Sequence, residues 1–293
     1  IGYSLTGDTR MECLFILYGP TSRNGKGTTM ESILRIMGEY GKNADPTMLQ
    51  AKFNSQSGGP SEEIARLAGS RFVNISEPEK KITLDAALTK RLTGNDTITA
   101  RYLHENSFEF RPNFKIFINT NHRPNITDLT LFESGRIKII PFDRHFEENE
   151  QDKDLKSTFA KPENMSGILN WMLEGYKLFR SQGLAMPDSV VQATTDYQIF
   201  SDKMGQFFDE CIEEKEGCEL RRGAVYTRYK EWCGENGYRA EAAKNLNQEI
   251  EKRYKTARKR PNDGASSSTT PMVLDVAFTA SEESKEDFAP LTS

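Results

Sequence analysis

The chain has 293 residues, of which 36% are hydrophobic and 28% charged, and its formal net charge is −4. This length favours one domain of about 150 to 200 residues followed by a smaller one. The sequence has no apolar run of about 18 residues, which argues against a membrane-spanning helix. The small net charge neither supports nor excludes a polyanionic partner.

The four cysteines lie in neither a C-x-x-C pair nor a zinc-like cluster with histidine. We therefore expect reduced thiols in a cytoplasmic protein. No signal-peptide pattern precedes the first predicted strand, and the sequence opens close to a candidate catalytic core. We expect the chain to be the C-terminal part of a longer polypeptide.

Short apolar runs alternate with helical patterns over residues 1–145, the order typical of a mainly parallel sheet covered by helices. We therefore predict an α/β domain over these residues. A helix follows the first run, because Met30 begins an i, i+3, i+4, i+7 pattern. The four apolar runs are Leu14–Tyr18, Phe72–Ile75, Lys115–Asn119 and Ile137–Ile140.

The rest of the chain has a different pattern. Residues 146–186 predict a helical segment that packs on the core. Residues 187–260 contain three short apolar helical stretches, which fit a winged-helix domain and an ordinary helical bundle about equally. Residues 261–293 are rich in Ser and Thr and then in acidic residues, and we predict a flexible tail there.

A glycine-rich loop lies between the first predicted strand and the first predicted helix. This order is that of the P-loop, in which backbone N–H groups and the helix N-terminus bind the phosphates of a nucleotide. Lysine supplies a mobile positive charge there, and a hydroxyl completes the shell of Mg²⁺. The residues expected to bind ATP are Gly19, Asn24, Gly25, Lys26, Gly27 and Thr28.

The loop departs from the G-x-x-x-x-G-K-[ST] pattern at two places. Five residues separate Gly19 from Gly25, and Gly27 occupies the usual position of the hydroxyl. Thr28, one residue later, is our candidate ligand of Mg²⁺. A solvated glycine-rich turn is the alternative, and the flanking strand and helix disfavour it.

Each of the three further apolar runs has a candidate polar residue shortly before or after it. Glu77, and less strongly Glu79, follows the second run and could hold Mg²⁺ or polarise the attacking water, although an acidic strand end is often only a solvated edge. Asn121 follows the third run and could orient that water, although asparagine before a turn is usually a turn former. Arg136 precedes the last run and could act as an arginine finger in an oligomer.

In this order, the motifs resemble the superfamily 3 helicase core, most closely that of phage and plasmid primase-helicases and the poxvirus primase-helicase. The resemblance covers residues 1–145 strongly and residues 187–255 more weakly. The segments that carry it are Gly25-Lys26, Glu77, Leu92–Asp96 with Ile98–Arg101, Phe110–Pro112, Thr120–Pro124, and Arg136-Ile137 with Ile140–Phe142.

The resemblance implies an AAA+-like ATPase that uses ATP and Mg²⁺ and assembles as a ring, expected to be a hexamer. Such a ring moves 3′ to 5′ along single-stranded DNA during replication of a phage, plasmid or other mobile element, with other replication proteins as possible partners. The same likeness predicts a channel-lining hairpin over 97–110. Its candidate DNA contacts are Arg101 and His104, although exposed hairpin tips are commonly polar for solubility alone.

Two other functions remain open from the residues. The Gly25-Lys26-Gly27-Thr28 segment also occurs in loops like those of adenylate kinases, but no arginine-rich lid motif supports a nucleoside monophosphate kinase. The altered P-loop is also compatible with a replication scaffold that binds nucleotide and DNA without hydrolysis.

Overall fold

The computed structural model describes residues 1–51, 62–76, 82–259 and 269–279. The chain forms two compact units, of which the first ends at Ser201 and the second begins at Asp202. No helix among the described residues is long and apolar enough to cross a membrane.

The first unit is built on a five-stranded sheet in the order β2-β3-β6-β1-β7, and its neighbouring strands are all parallel. The four apolar runs are confirmed as β1, β3, β6 and β7, and the predicted α/β fold is therefore confirmed. Its elements in chain order are β1 (Leu14–Tyr18), α1 (Lys26–Met37), β2 (Gly41–Ala44), α2 (Glu62–Ala65), β3 (Phe72–Ser76), α3 (Ala86–Thr93), β4 (Ile98–Ala100), β5 (Phe108–Phe110), β6 (Lys115–Thr120), α4 (Thr130–Glu133), β7 (Ile137–Pro141), α5 (Leu155–Phe159), α6 (Pro162–Gln182) and α7 (Asp188–Ser201).

Both faces of this sheet are buried along β1, β3 and β6 and largely buried along β7, which is why these four strands read as apolar runs. On one face, Phe117 stacks on Phe15 and on Phe72, with ring centroids 4.9 and 4.7 Å apart. The buried side chains of α1, Met30 among them, pack in the same cluster. Leu14 and Ile16 face the opposite side, in a second apolar cluster.

The strand order brings the predicted motifs to one edge of the sheet. The carboxyl ends of parallel strands lie at the same edge, which is where open α/β sheets bind ligands. Because β1 lies beside β6 and β6 beside β3, the P-loop, Asn121 and the end of β3 are neighbours there. Glu77 and Glu79, which follow β3, lie outside the described residues.

The predicted hairpin over 97–110 is confirmed as a pair of short antiparallel strands. Strand β4 pairs with β5, and Ile98 lies opposite Phe110. Between the strands, Tyr102 stacks on Phe108 with ring centroids 5.7 Å apart, and its hydroxyl donates to the carbonyl of Ala65 at 3.1 Å. These contacts fix the base of the hairpin and leave its tip exposed.

Helix α7 belongs to the first unit, so the predicted domain boundary at residue 187 is corrected to residue 202. The backbone N–H of Ile139 on β7 donates to the hydroxyl of Thr194 at 3.0 Å. Tyr197 is 1% exposed and packs in the core beside Phe132. The helix carries many polar residues, so its buried side was not recognised in the sequence.

The second unit combines three helices with a three-stranded antiparallel sheet in the order β8-β10-β9, so it is not a purely helical bundle. Its core holds an aromatic group in which Phe207 meets the rings of Tyr229 and Trp232 edge-on, at 5.1 and 5.9 Å. The elements are α8 (Lys203–Cys211), β8 (Ile212–Arg221), α9 (Arg222–Glu235), α10 (Ala243–Arg253), β9 (Thr256–Lys259) and β10 (Thr270–Phe278).

The prediction of a flexible tail over 261–293 is wrong for β10, which lies between β8 and β9. Met272, Val273 and Val276 are buried on this strand. The pairing with β8 shifts between Leu274 and Val276, where Asp275 has φ +58°. Such a bulge breaks the strict alternation that marks a strand in a sequence. Residues 261–268 and 280–293 lie outside the described residues.

Candidate phosphate-binding site

The phosphate loop ends in a sharp turn into α1. Gly25, directly before the helix, has φ +86°, a left-handed conformation that glycine adopts without strain. Because α1 begins at Lys26 and runs for 12 residues, its free N–H groups and the positive end of its dipole face the loop. This is the geometry in which a helix N-terminus binds phosphate.

Asn24 closes the loop from inside. Its side-chain Nδ2 donates to the carbonyl of Thr21 at 2.7 Å and to the carbonyl of Phe142 at 3.3 Å. The residue is 7% exposed, so its amide is committed to the protein rather than to solvent. Asn24 therefore holds the shape of the loop through hydrogen bonds to backbone carbonyls.

Lys26 and Asn121 meet at the edge of the sheet. Lys26 Nζ donates to Asn121 Oδ1 at 2.5 Å and to the carbonyl of Gly19 at 3.3 Å. Lys26 is 3% exposed, although its ammonium group carries a charge. A buried charge is tolerated where it is hydrogen-bonded. The structure thus brings Asn121 to Gly19 and Lys26 of the phosphate loop, although Asn121 lies 95 positions after Lys26 in the sequence.

The two candidate positions for a metal-binding hydroxyl differ in their surroundings. Gly27 is exposed, and a Cβ built on it would meet nothing within 4 Å. Thr28 is half-buried in the first turn of α1. Next to it, the hydroxyl of Thr29 donates to the carbonyl of Gly25 at 3.0 Å and is engaged in holding the helix start. Thr28 therefore stays the candidate ligand of Mg²⁺.

A polar group at the end of β3 was missed in the sequence, where β3 reads as a plain apolar strand. Asn74 is 3% exposed, and its Nδ2 donates to Asn43 Oδ1 and to Ser76 Oγ, both at 2.8 Å. Its own Oδ1 is buried and accepts no hydrogen bond from the described residues. In the sheet register, Ser76 lies beside Asn119 of β6. These amide and hydroxyl groups thus lie on β2 and β3, and the segment that contains Glu77 follows β3 in the sequence.

A strap of residues 142–146 runs along the phosphate loop, and it was not predicted from the sequence. The backbone N–H of Phe146 donates to the carbonyl of Arg23 at 3.0 Å, and His145 Nδ1 lies 2.9 Å from the carbonyl of Ser22. The strap starts where the N–H of Phe142 donates to the carbonyl of Tyr18 at 2.7 Å. These contacts use backbone carbonyls, so residue type at the loop does not encode them.

Arg136 lies away from these residues. It precedes β7, and its carbonyl accepts from the N–H of Leu14 at the start of β1, which is the edge opposite the phosphate loop. Its guanidinium forms an ion pair with Glu12 at 2.6 Å and donates to the hydroxyl of Thr93 at 2.9 Å. The side chain is 16% exposed. Arg136 therefore makes no contribution to the phosphate loop of its own chain.

The candidate DNA contacts are on the hairpin. His104 is exposed at the tip and has φ +64°, while Arg101 is half-buried next to β4. Histidine is one of the side chains that tolerate the left-handed region better than most. The turn is closed by the N–H of Glu105, which donates to the carbonyl of Tyr102 at 3.2 Å.

Comparison with known proteins finds viral relatives whose similarity extends over most of the chain. A family model described as Poxvirus D5 protein-like matches residues 200–281, and a family of unknown function (DUF5906) matches residues 17–136. The L207/L206 protein of Acanthamoeba polyphaga mimivirus is 28% identical over 251 residues, which cover 79% of this chain and 26% of that protein. The 022R protein of Frog virus 3 is 28% identical over 233 residues, or 74% of this chain and 24% of that protein. Both relatives carry helicase names.

The chain resembles the poxvirus-type helicases. The likeness to the poxvirus helicase that the ordered motifs indicated is thereby confirmed. The fold also matches a solved structure, the apo form of the C-terminal region of NrS-1, with a TM-score of 0.51 and 14% identity over 91% of this chain and 67% of that one. The chain spans about a quarter of the length of the first two curated relatives.

Proposed function

We propose that this chain is the motor region of a viral or mobile-element DNA helicase of the superfamily 3 type, which hydrolyses ATP with Mg²⁺ to move 3′ to 5′ on single-stranded DNA. The observation that carries the proposal is the contact between Lys26 Nζ and Asn121 Oδ1 at 2.5 Å. It joins the lysine of the phosphate loop to a polar side chain at the end of the neighbouring strand. The viral relatives with helicase names support the same activity.

The chemistry follows from the roles of these groups. The N–H groups of the loop and Lys26 bind the β- and γ-phosphates and neutralise charge that develops during transfer. The hydroxyl of Thr28 and the carboxylate of Glu77 would hold Mg²⁺, directly or through water, and the ion would add positive charge beside the phosphates. Glu77 also polarises the attacking water, and Asn121 orients it against the γ-phosphate. Hydrolysis on this scheme is mainly positioning and electrostatic stabilisation.

DNA binding and assembly form the second part of the proposal. Arg101 and His104 on the hairpin contact the phosphates of single-stranded DNA. Arg136 acts on the nucleotide of a neighbouring subunit, and to do so it exchanges its ion pair with Glu12 for a phosphate oxygen. Its position at the edge opposite the phosphate loop of its own chain supports a role in a ring, expected to be a hexamer. The second unit serves as a winged-helix-like module for DNA or another replication protein.

ATP turnover with and without single-stranded DNA tests the proposed function. We expect Lys26→Ala to lower turnover at least about 100-fold, because a preorganised charge on the transferred phosphate is lost. The matched control is Lys177→Ala, which removes a lysine that is 70% exposed on α6 and paired with Glu174. DNA-stimulated turnover that survives in the Lys26→Ala variant would contradict the proposal.

Assembly is measured separately, by the mass of the protein with an ATP analogue and single-stranded DNA. A ring is expected for the wild type. In the Arg136→Ala variant, assembly or turnover should fall, because the neighbour's phosphate loses its cation. A strict monomer that hydrolyses ATP at the full rate would leave ATPase activity in place and remove the ring and the role of Arg136.

A further inference from the structure

Arg123 lies in a cluster of aromatic rings beside the phosphate-binding site. Its guanidinium carbon is 4.9 Å from the ring centroid of Tyr18, 5.0 Å from that of Phe200 and 5.4 Å from that of Tyr197. Its Nε is buried and makes no hydrogen bond within the part of the chain that the structure describes. Ring faces therefore supply much of the environment of this charged group, an arrangement typical of cation–π contacts.

The three rings belong to parts of the fold with different tasks. Tyr18 ends β1 and directly precedes Gly19, whose carbonyl accepts from Lys26. Tyr197 and Phe200 lie on α7, near its end at Ser201. Arg123 itself follows Asn121 by two residues. A single guanidinium on the loop after β6 thus lies beside the residue that precedes the phosphate loop and beside the last turns of α7.

A second contact ties the same two segments together. The hydroxyl of Tyr197 donates to the carbonyl of Pro124, the residue after Arg123. Tyr197 is 1% exposed, and burial raises the pKa of its hydroxyl, so the hydroxyl stays protonated and keeps donating. The loop after Asn121 cannot shift without displacing Tyr197 or breaking this bond.

A nucleotide bound beside Lys26 would act directly on this loop. Asn121 Oδ1 and a phosphate oxygen are both acceptors for the protons of Lys26 Nζ. A phosphate that draws Nζ toward itself weakens the bond to Asn121 and releases the loop that carries Arg123. Beyond α7, only Asp202 separates Ser201 from α8, which opens the second unit. The path from phosphate to α7 therefore consists of contacts between named neighbours.

We propose that Arg123 is a positioning residue that transmits the state of the nucleotide from Asn121 to α7, the last helix of the first unit. The planar guanidinium lies over the rings of Tyr18, Tyr197 and Phe200, so a displacement of the loop after β6 becomes a displacement of α7. This inference rests on the proposed function, because it assumes that a nucleotide binds beside Lys26.

Hydrogen exchange of the full chain, with and without a non-hydrolysable ATP analogue at saturating concentration, tests the inference. In the wild type, the analogue should change the exchange rates of amides on α7 at least about threefold. Arg123→Lys keeps the charge but loses the planar stacking surface, and this response should largely disappear while the analogue still binds. Tyr197→Phe keeps the ring and removes the bond to Pro124, and it should weaken the response.

The matched control is Arg71→Lys. Arg71 is also half-buried and lies over an aromatic ring, 4.1 Å from the centroid of Tyr40, but it precedes β3 at the opposite edge of the sheet. The control should respond as the wild type does. A wild-type response in the Arg123→Lys variant, or none in the wild type despite bound analogue, overturns the inference alone. A wild type that binds no analogue overturns the proposed function as well.

Discussion

Gly19 packs so closely on Phe142 that a Cβ at position 19 would lie 2.3 Å from the carbonyl oxygen of Phe142. The same Cβ would also lie 2.3 Å from Nδ2 of Asn24, the amide that closes the phosphate loop. Any side chain at Gly19 therefore pushes the strap of residues 142–146 away from the loop. Glycine is required here for space, because the approaching atoms include a backbone carbonyl that has little freedom to move.

Gly19→Ala should consequently destabilise the protein by about 1–3 kcal/mol, as expected for overpacking, and should weaken nucleotide binding. Gly167→Ala is the matched control, because a Cβ there meets nothing within 4 Å and the residue lies within α6. That control should instead gain about 0.5–1 kcal/mol. Thermal melts with and without an ATP analogue measure both effects, and equal behaviour of the two variants would refute the packing argument.

The position of the metal-binding hydroxyl can be tested by moving it. Thr28→Ala should weaken Mg²⁺-dependent nucleotide binding by about tenfold, because one oxygen ligand is lost. The double variant Gly27→Ser with Thr28→Ala should regain much of that affinity, since the space beside Gly27 is open. Titration of a fluorescent ATP analogue with and without Mg²⁺ gives the numbers. An unchanged affinity in Thr28→Ala would assign the metal to other ligands.

The hairpin should bind single-stranded DNA through its tip. Arg101→Gln and His104→Asn should each weaken DNA binding, and each lost phosphate contact should lower the salt slope by about 0.7. Asparagine suits position 104 because it also tolerates the left-handed conformation. Anisotropy titrations at several salt concentrations measure the slope, with Arg180→Gln on the exposed side of α6 as the control. Loss of nucleotide affinity in the hairpin variants would contradict a role limited to DNA.

Lys115 gives the stability of the protein a distinct pH dependence. It is 2% exposed, and burial lowers its pKa from 10.5 to about 8, while Nζ donates to the carbonyl of Thr6. Between about pH 8 and 10.5 the unfolded chain holds a proton on this lysine that the native protein has released. The free energy of unfolding should therefore rise with pH across that window.

Lys115→Met removes this contribution. Over the same pH window the difference in unfolding free energy between wild type and variant should change by about 1 to 3 kcal/mol in favour of the wild type. Urea denaturation at a series of pH values measures it. The comparison also removes most of the opposite effect of Cys13, whose pKa is raised by burial to about 11, because both proteins retain that buried thiol. Parallel pH profiles would contradict the assignment.

Much of the core could be predicted from the sequence, because the residues that mark each buried strand are consecutive in the chain. Strands buried on both faces must be apolar, and loops at strand ends carry glycine or polar residues, so β1, β3, β6 and β7 were recognisable. The meeting of Lys26 with Asn121 follows from the rule that carboxyl ends of parallel strands share an edge. Nothing beyond strand order was needed to expect it.

The missed features have physical reasons of their own. Strand β2 has the sequence Gly-Lys-Asn-Ala and carries no apolar run. Strand β10 is interrupted by the bulge at Asp275, so its buried residues do not alternate. The strap of residues 142–146 binds the phosphate loop through carbonyl groups, which every residue type possesses. Asn74 is a buried amide whose partners lie on β2 and β3, and its role depends on pairing that the sequence does not show.

The proposed ATP hydrolysis requires Lys26 and Asn121 to act on the same phosphate. The direct measurement is a double-mutant cycle on kcat/KM for DNA-stimulated ATP hydrolysis, with Lys26→Met, Asn121→Ala and the double variant. We predict that Asn121→Ala lowers kcat about 100-fold with little change in KM. The double variant should be little worse than Lys26→Met alone, because residues that act as a unit are non-additive. Fully additive effects, or a wild-type kcat in Asn121→Ala, would contradict the claim.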